Sequence, residues 1–346
     1  MERKSMGIMG KRLVSVTNIV LLTLQLLFCN AFGTYHIGVN YGINGGKSPP
    51  IEDVIKLYQK CGIEFIRIQE PDHQVLKALR GSSLQLSLGV RNQDLITISL
   101  SQSAANQWVQ NYILPYMTQV SFGWITIGNE AIPGPYAKYV ASTINNMHNA
   151  LNSVGLVSIR VTTVVPLKVL QTFNPPSTAE FTQQSLPFMV DVVASLLRIG
   201  SPLMVNVYPY FAYMSEPKQF SFEFATFNAK QPLVDGKFKY FNLFDTMVDG
   251  FYAALEKING GNVALSVSET GWPTCGKKNC TSTEDARIYN ANLYHHVVSN
   301  GTPRRPDILL DTFLFEMFDE KKPRGKQNFG LFHQNMVPAY RLFNTC

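Results

Sequence analysis

Two short apolar runs in this 346-residue chain end on a carboxylate: Gly128-Asn129-Glu130, and Ser268-Glu269 followed by Thr270-Gly271-Trp272-Pro273. Cleaving a glycosidic bond needs such a pair, because one carboxylic acid protonates the leaving oxygen while a second carboxylate traps or stabilises the oxocarbenium-like centre. Amides and aromatics end the comparable runs: Asn40-Tyr41, Arg67 and Gln69 before Glu70, Asn206 with Tyr208, and the stretch past Glu316 to Asp319 and Glu320. A sugar ring presents an apolar C–H face to Tyr or Trp while its hydroxyls seek amides. Tyr41, Tyr208 and Trp272 fit that use, with Asn129 and Asn206 as amide partners. A lone Glu at a strand end is often structural and Trp272 before Pro273 equally suits packing; two carboxylates with neighbouring amides are harder to assign to packing alone.

Other chemistries find no matching pattern. The chain has no G-x-S-x-G elbow, phosphate loop or H-E-x-x-H, and its six His residues are scattered, with His295-His296 in a helical stretch that suits a structural role. Cys275 and Cys280 are close enough to close a small loop disulfide in the secretory pathway; zinc would need two further ligands, and no His lies between or beside them. Neither a metal nor a cofactor is expected. Asn279-Cys280-Thr281 and Asn300-Gly301-Thr302 match the glycosylation acceptor, the first in competition with a disulfide at Cys280.

Eight β-rich apolar runs must carry these residues: 36–41, 63–69, 84–90, 124–128, 159–164, 203–208, 263–268 and 309–317. Amphipathic stretches separate them, such as 51–61, where Ile51, Val54, Ile55, Tyr58 and Cys61 share one side, and 243–258, where Leu243, Met247, Phe251, Ala254, Leu255 and Ile258 do. Eight strand signals separated by segments long enough for helices predict an α/β fold, a (β/α)8 TIM barrel in one domain over 34–346. An open dinucleotide-binding sheet would want a glycine-rich phosphate turn after the first strand, and Gly42-Ile43-Asn44-Gly45-Gly46 lacks that spacing. In such a barrel the site lies at the carboxyl ends of the strands. The fourth and seventh strands then face each other across the mouth, which allows Glu130 and Glu269 to stand about 5 Å apart, the separation of a retaining pair.

The first residues read as a signal peptide, 1–33: Arg3, Lys4, Lys11 and Arg12, an uncharged apolar run over 13–28, then Ala31 and Gly33. At about 16 residues the run is short of the roughly 20 that span a bilayer. Removing it takes four basic residues and one acidic residue from 30 and 24, leaving 26 and 23, a net charge of +3. That dispersed charge, with one short basic run at Lys321, Lys322, Arg324 and Lys326, argues against a nucleic-acid partner. No hydrophobic tail follows 337, so a secreted monomer with no stable membrane anchor is expected, in the wall or vacuole.

The motifs together resemble the plant endo-β-1,3-glucanases of glycoside hydrolase family 17. The resemblance runs through Ile37-Gly38-Val39-Asn40-Tyr41-Gly42, Val75-Leu76-Lys77-Ala78-Leu79-Arg80-Gly81, Ile127-Gly128-Asn129-Glu130, Val205-Asn206-Val207-Tyr208-Pro209-Tyr210-Phe211, Val267-Ser268-Glu269-Thr270-Gly271-Trp272-Pro273, Met317-Phe318-Asp319-Glu320 and Asn328-Phe329-Gly330-Leu331-Phe332. It implies a (β/α)8 retaining hydrolase of β-glucan in the cell wall or in defence, with Glu130 the proton donor, Glu269 the nucleophile, and Glu320 and Lys322 beside the donor. Glu130 should then have its pKa raised by burial and by Glu269, while Glu269 needs donors to stay charged, Tyr208 being the candidate. The chain departs from the family at Gln69-Glu70, where Tyr and Asp are common, and after Glu320, where the loop is about one residue shorter. Mixed-linkage β-1,3;1,4-glucan, a transglycosylase using the same intermediate, and a weakly catalytic glucan-binding protein are the alternatives.

Overall fold

Eight parallel strands close into a barrel: β1 (Ile37–Asn40), β2 (Phe65–Ile68), β3 (Gln85–Val90), β4 (Ser121–Asn129), β5 (Arg160–Pro166), β6 (Leu203–Asn206), β9 (Leu265–Thr270) and β10 (Thr312–Leu314). Their order around the ring is β1-β10-β9-β6-β5-β4-β3-β2, and β1 also pairs with β2. The computed structural model describes residues 37–42, 49–275, 281–319, 328–343 and 346. The expected signal peptide, His36, Asn279, Cys280, Glu320 and the basic run with Lys322 lie outside these residues.

Helices join successive strands on the outside. They are α1 (Ile51–Lys60), α2 (His73–Ala78), α3 (Leu95–Leu100) with α4 (Gln102–Tyr112), α5 (Val140–Ser153), α6 (Leu186–Ile199), α9 (Leu243–Lys257) and α10 (Thr283–Val297). Each buries an apolar stripe, as in α1, where Val54, Ile55, Leu57 and Tyr58 are inward. Side-chain caps fix several starts: Asp72 accepts from Gln74 and Val75, Ser101 from Ala104, Asn242 from Asp245, and Ser282 from Asp285. An insertion not read from the sequence lies between β6 and α9: α7 (Pro209–Ser215), α8 (Phe222–Ala225) and an antiparallel hairpin of β7 (Leu233–Asp235) and β8 (Phe238–Tyr240).

The barrel interior is plugged by its own cluster, Phe65, Trp124, Val164, Met204 and Phe313, distinct from the core between strands and helices. Gly38 makes room for it, since a Cβ there would lie 2.4 Å from the Phe313 ring. Strand side chains alternate, so two residues beyond Phe65 and Met204 the same interior face carries Arg67 and Asn206. An apolar floor therefore supports a polar layer at the mouth.

One disulfide joins cysteines that the sequence reading left unpaired. Cys61, just past α1, is bonded to Cys346, with a Cα–Cα distance of 4.9 Å, while Cys275 is exposed with no disulfide partner among the described residues, its expected partner Cys280 lying outside them. The chain end returns to the first helix, which brings together two cysteines 285 residues apart.

Candidate active site

Both strands that carry the carboxylates are irregular at the carboxylate. Along β6 and β9 the register slips between Val205↔Val267 and Asn206↔Glu269. The extra residue in β9 lets neighbours that normally face opposite ways both reach the interior network. Ser268 Oγ donates to Asn206 Oδ1 at 2.7 Å, and Glu269 meets Arg67 on the barrel wall. Along β4 and β5 the slip falls between Thr126↔Thr162 and Asn129↔Val164. Here Gly128 has φ +71°, and a Cβ on it would stand 2.5 Å from Asn92 Oδ1. Glu130 itself has φ +51°, a left-handed conformation costing a non-glycine residue about 1 kcal/mol, and its N–H donates to Val164 O at 3.0 Å. Backbone strain of this kind collects at functional sites.

Glu269 is buried and surrounded by donors. Arg67, fully buried in β2, gives Nη1 to Glu269 Oε1 at 2.8 Å and to Asn40 Oδ1 at 2.6 Å, and Nη2 to Asn129 Oδ1 at 3.1 Å. Gln69 Nε2 donates to the same Oε1 at 2.8 Å, and the Tyr208 hydroxyl donates to Oε2 at 3.0 Å. Burial raises the Glu269 pKa, the Arg67 charge opposes that, and the Glu130 charge adds to it. Tyr208 is pushed well above the ordinary phenol range by burial and then by Glu269, so it stays a donor.

Glu130 sits in more open surroundings. Its side chain is 37% exposed, Oε1 accepts from Asn206 Nδ2 at 2.9 Å, and Lys168 Nζ lies 3.9 Å from Oε2. The burial expected of Glu130 therefore falls on Glu269 instead, because Glu269 lies within β9 whereas Glu130 follows the end of β4. The two strands stand three places apart around the eight-strand ring rather than directly opposite. Asn206 donates from its nitrogen to Glu130 and accepts at its oxygen from Ser268, the neighbour of Glu269.

A 440 Å³ cleft opens beside this network, lined among others by Tyr41, Gln69, Glu70, Asn92, Asn129 and Tyr136. Tyr41 contributes a 4% exposed edge rather than an open ring face. Tyr136 and Phe315 are the other aromatics that line the cleft, and Phe211, 47% exposed, stands 5.4 Å from the Tyr208 ring. Trp272 corrects the sugar-stacking expectation. It is fully buried against Tyr210, Tyr213, Phe222 and Tyr289, and its Nε1 donates to Thr281 Oγ1 at 2.8 Å. Having no exposed face, it is a packing residue.

The sequence places Asn40, Arg67, Gln69 and Ser268 at strand ends without giving them a role, and Lys168 is not singled out. The available signal was a charge inside the apolar run Phe65-Ile66-Arg67-Ile68, since a buried cation needs a partner. Among the described residues no cluster of three or more His, Cys, Asp or Glu is arranged to hold a metal ion.

Residues 37–343 match the profile of the family described as "Glycosyl hydrolases family 17". A glucan endo-1,3-beta-glucosidase of Vitis vinifera is 39% identical over 333 residues, spanning 94% of this chain and 96% of the relative. A plant β-glucan endohydrolase, from a structural study of two with distinct substrate specificities, superposes with a TM-score of 0.85 at 38% identity, covering 88% of this chain and 99% of the other. The pollen β-1,3-glucanase and allergen CJP38 of Cryptomeria japonica superposes with a TM-score of 0.85 at 36% identity over 89% and 98% of the two chains.

Proposed function

The chain belongs to glycosyl hydrolases family 17, and from that premise we propose that it cleaves internal β-1,3 linkages of glucan with retention of anomeric configuration. The observation that carries this reading is the single network tying Glu130 to Glu269: Arg67 joins Glu269 to Asn129, the neighbour of Glu130, and Asn206 joins Glu130 to Ser268, the neighbour of Glu269.

In this reading Glu130 protonates the glycosidic oxygen as Glu269 attacks the anomeric carbon, forming a glycosyl-enzyme ester. Glu130, now a carboxylate, takes a proton from water as that water attacks the ester, which restores both groups. Arg67 and Gln69 occupy Oε1 of Glu269, leaving Oε2, held by the Tyr208 hydroxyl alone, as the attacking oxygen. Exposure of Glu130 suits the second half-reaction, which needs water at its carboxylate. Gln69 stands where the family commonly has Tyr, and its contact with Glu269 is a positioning one.

Mixed-linkage β-1,3;1,4-glucan is the second substrate to test, because the superposed endohydrolase comes from a pair with distinct substrate specificities. Secretion is part of the proposal, supported by the leader-like first 33 residues and by a disulfide, a bond that persists in oxidising compartments. No helix among the described residues is long and apolar enough to cross a membrane.

The test incubates the mature protein, beside Glu130→Gln and Glu269→Gln variants, with laminarin and with mixed-linkage β-glucan, following reducing ends and product anomers. Release of β-anomers from laminarin by the wild type alone is the expected result. An α-anomer as first product overturns retention, long transfer products overturn hydrolysis, and glucan binding without release overturns the enzyme reading.

A further inference from the structure

A second hollow of about 570 Å³ lies between β8, the start of α9, the end of α10 and the loop 300–306, and shares no lining residue with the cleft. Its floor is polar and structural. Asp245 accepts from Asn242 Nδ2 at 2.8 Å and pairs with His296 Nε2 at 2.8 Å, tying α9 to α10. Its wall includes Phe241, 46% exposed, with the exposed Lys239 and His295 at the rim and Asn300 beside them.

Asn300 begins the acceptor Asn300-Gly301-Thr302, and the fold accounts for two of the three residues. Gly301 is required by packing, since a Cβ there would lie 2.1 Å from the Arg305 carbonyl oxygen. Thr302 is 1% exposed and bridges to Arg305. Asn300 is held only by its backbone, whose N–H donates to His296 O at 2.8 Å. Its exposed side-chain amide has no partner among the described residues, so nothing in the packing asks for Asn there.

We propose that Asn300 carries an N-linked glycan whose first N-acetylglucosamine is seated in this hollow against Phe241. In the transfer, the sugar's anomeric C–O bond to a lipid diphosphate donor breaks and a C–N bond to Asn300 Nδ2 forms. The lipid diphosphate leaves and the displaced amide proton goes to base. An exposed phenyl ring is the surface that a pyranose C–H face covers, and the rim groups of Lys239 and His295 offer hydrogen bonds to the sugar's oxygens. The glycan thereby covers an aromatic that is otherwise open to water. This rests on secretion and not on the hydrolase reading.

The test expresses the full chain, Asn300→Gln and Phe241→Ala in a eukaryotic secretory host and maps glycopeptides by mass spectrometry. Glycan release by peptide-N-glycosidase is then timed on native and denatured protein. The expected result is occupancy at Asn300 and native release about fivefold faster in Phe241→Ala, the ratio given by about 1 kcal/mol of ring contact, with equal rates after denaturation. Unoccupied Asn300 in protein recovered from the medium overturns the site, and equal native rates overturn the seat. A chain that never reaches the medium overturns the secretion reading and this inference with it. Laminarin hydrolysis by Asn300→Gln should match wild type, which separates failure here from failure of the proposed activity.

Discussion

Replacing Tyr208 by Phe deletes one hydroxyl and leaves the ring among Phe211, Phe315 and Phe329, at centroid distances of 5.4, 6.3 and 5.9 Å. The lost contact is the 3.0 Å hydrogen bond to Glu269 Oε2. A hydrogen bond to a charged group contributes about 1.5–3 kcal/mol. If it holds the attacking oxygen in line and ionised, kcat/KM on laminarin should fall about 10- to 150-fold. Direction distinguishes this from general damage. The phenol favours the charged form of Glu269, so its loss raises the Glu269 pKa further and moves the acid limb of kcat/KM to higher pH. The assay is kcat/KM on laminarin across pH, with the thermal midpoint measured beside it. An unchanged or lowered acid limb, or a rate loss that tracks a loss of folded protein, refutes the assignment of Tyr208 as the donor that keeps Glu269 charged.

Three further outcomes follow from the same contacts. Gln69→Leu removes a second donor to Glu269 at an exposed position, so it should shift the acid limb upward with little change in the thermal midpoint, whereas Gln69→Asn, too short to reach, should behave like Leu. Trp272→Ala should destabilise the fold by roughly 3–5 kcal/mol in denaturant titrations while kcat per folded molecule stays within a few-fold of wild type, because the ring packs and does not face the cleft. Asp249, fully buried in α9, has its pKa raised to about 6 mainly by burial; the folded form thus binds its proton more tightly than the unfolded chain, and stability should fall by up to about 3 kcal/mol as pH rises from about 4 to above 6. Denaturation across that range, repeated with Asp249→Asn, should show a flatter profile in the variant.

What could be read from the sequence was what repeats. Eight apolar runs became eight barrel strands because a strand buried on both faces leaves a continuous apolar signature, and the stripes over 51–61 and 243–258 became α1 and α9. Tyr208, the candidate donor, reaches Glu269 because it follows the end of β6, which neighbours β9. Burial and register were harder to read. Trp272 reads alike as a sugar platform or a packing residue until Tyr210, Tyr213 and Tyr289 are seen to enclose it. The slip at Glu269 changes which side chains face inward, and strict alternation could not place Ser268 and Glu269 in one network. The hairpin β7–β8 carried its own signal, Asp235-Gly236 between short β-rich pieces, but its strands are only three residues each.

The two carboxylates differ in surroundings, and the difference follows from backbone placement. Glu269 lies in β9 at 6% exposure, and each neighbour bonded to it is a donor: a guanidinium, an amide and a phenol. Such a shell fits a carboxylate that must be ionised when substrate arrives. Holding it costs stability, because a buried ion pair seldom recovers its full desolvation penalty and packing alone would favour an apolar residue. Glu130, beyond the end of β4 in a left-handed turn, has one amide donor, a distant Lys168 and an open side. A group that must first give up a proton and then take one from water needs that access. Moving Glu130 into β4 would bury it, and moving Glu269 past the end of β9 would strip away the donors, so each irregular register serves the carboxylate it carries.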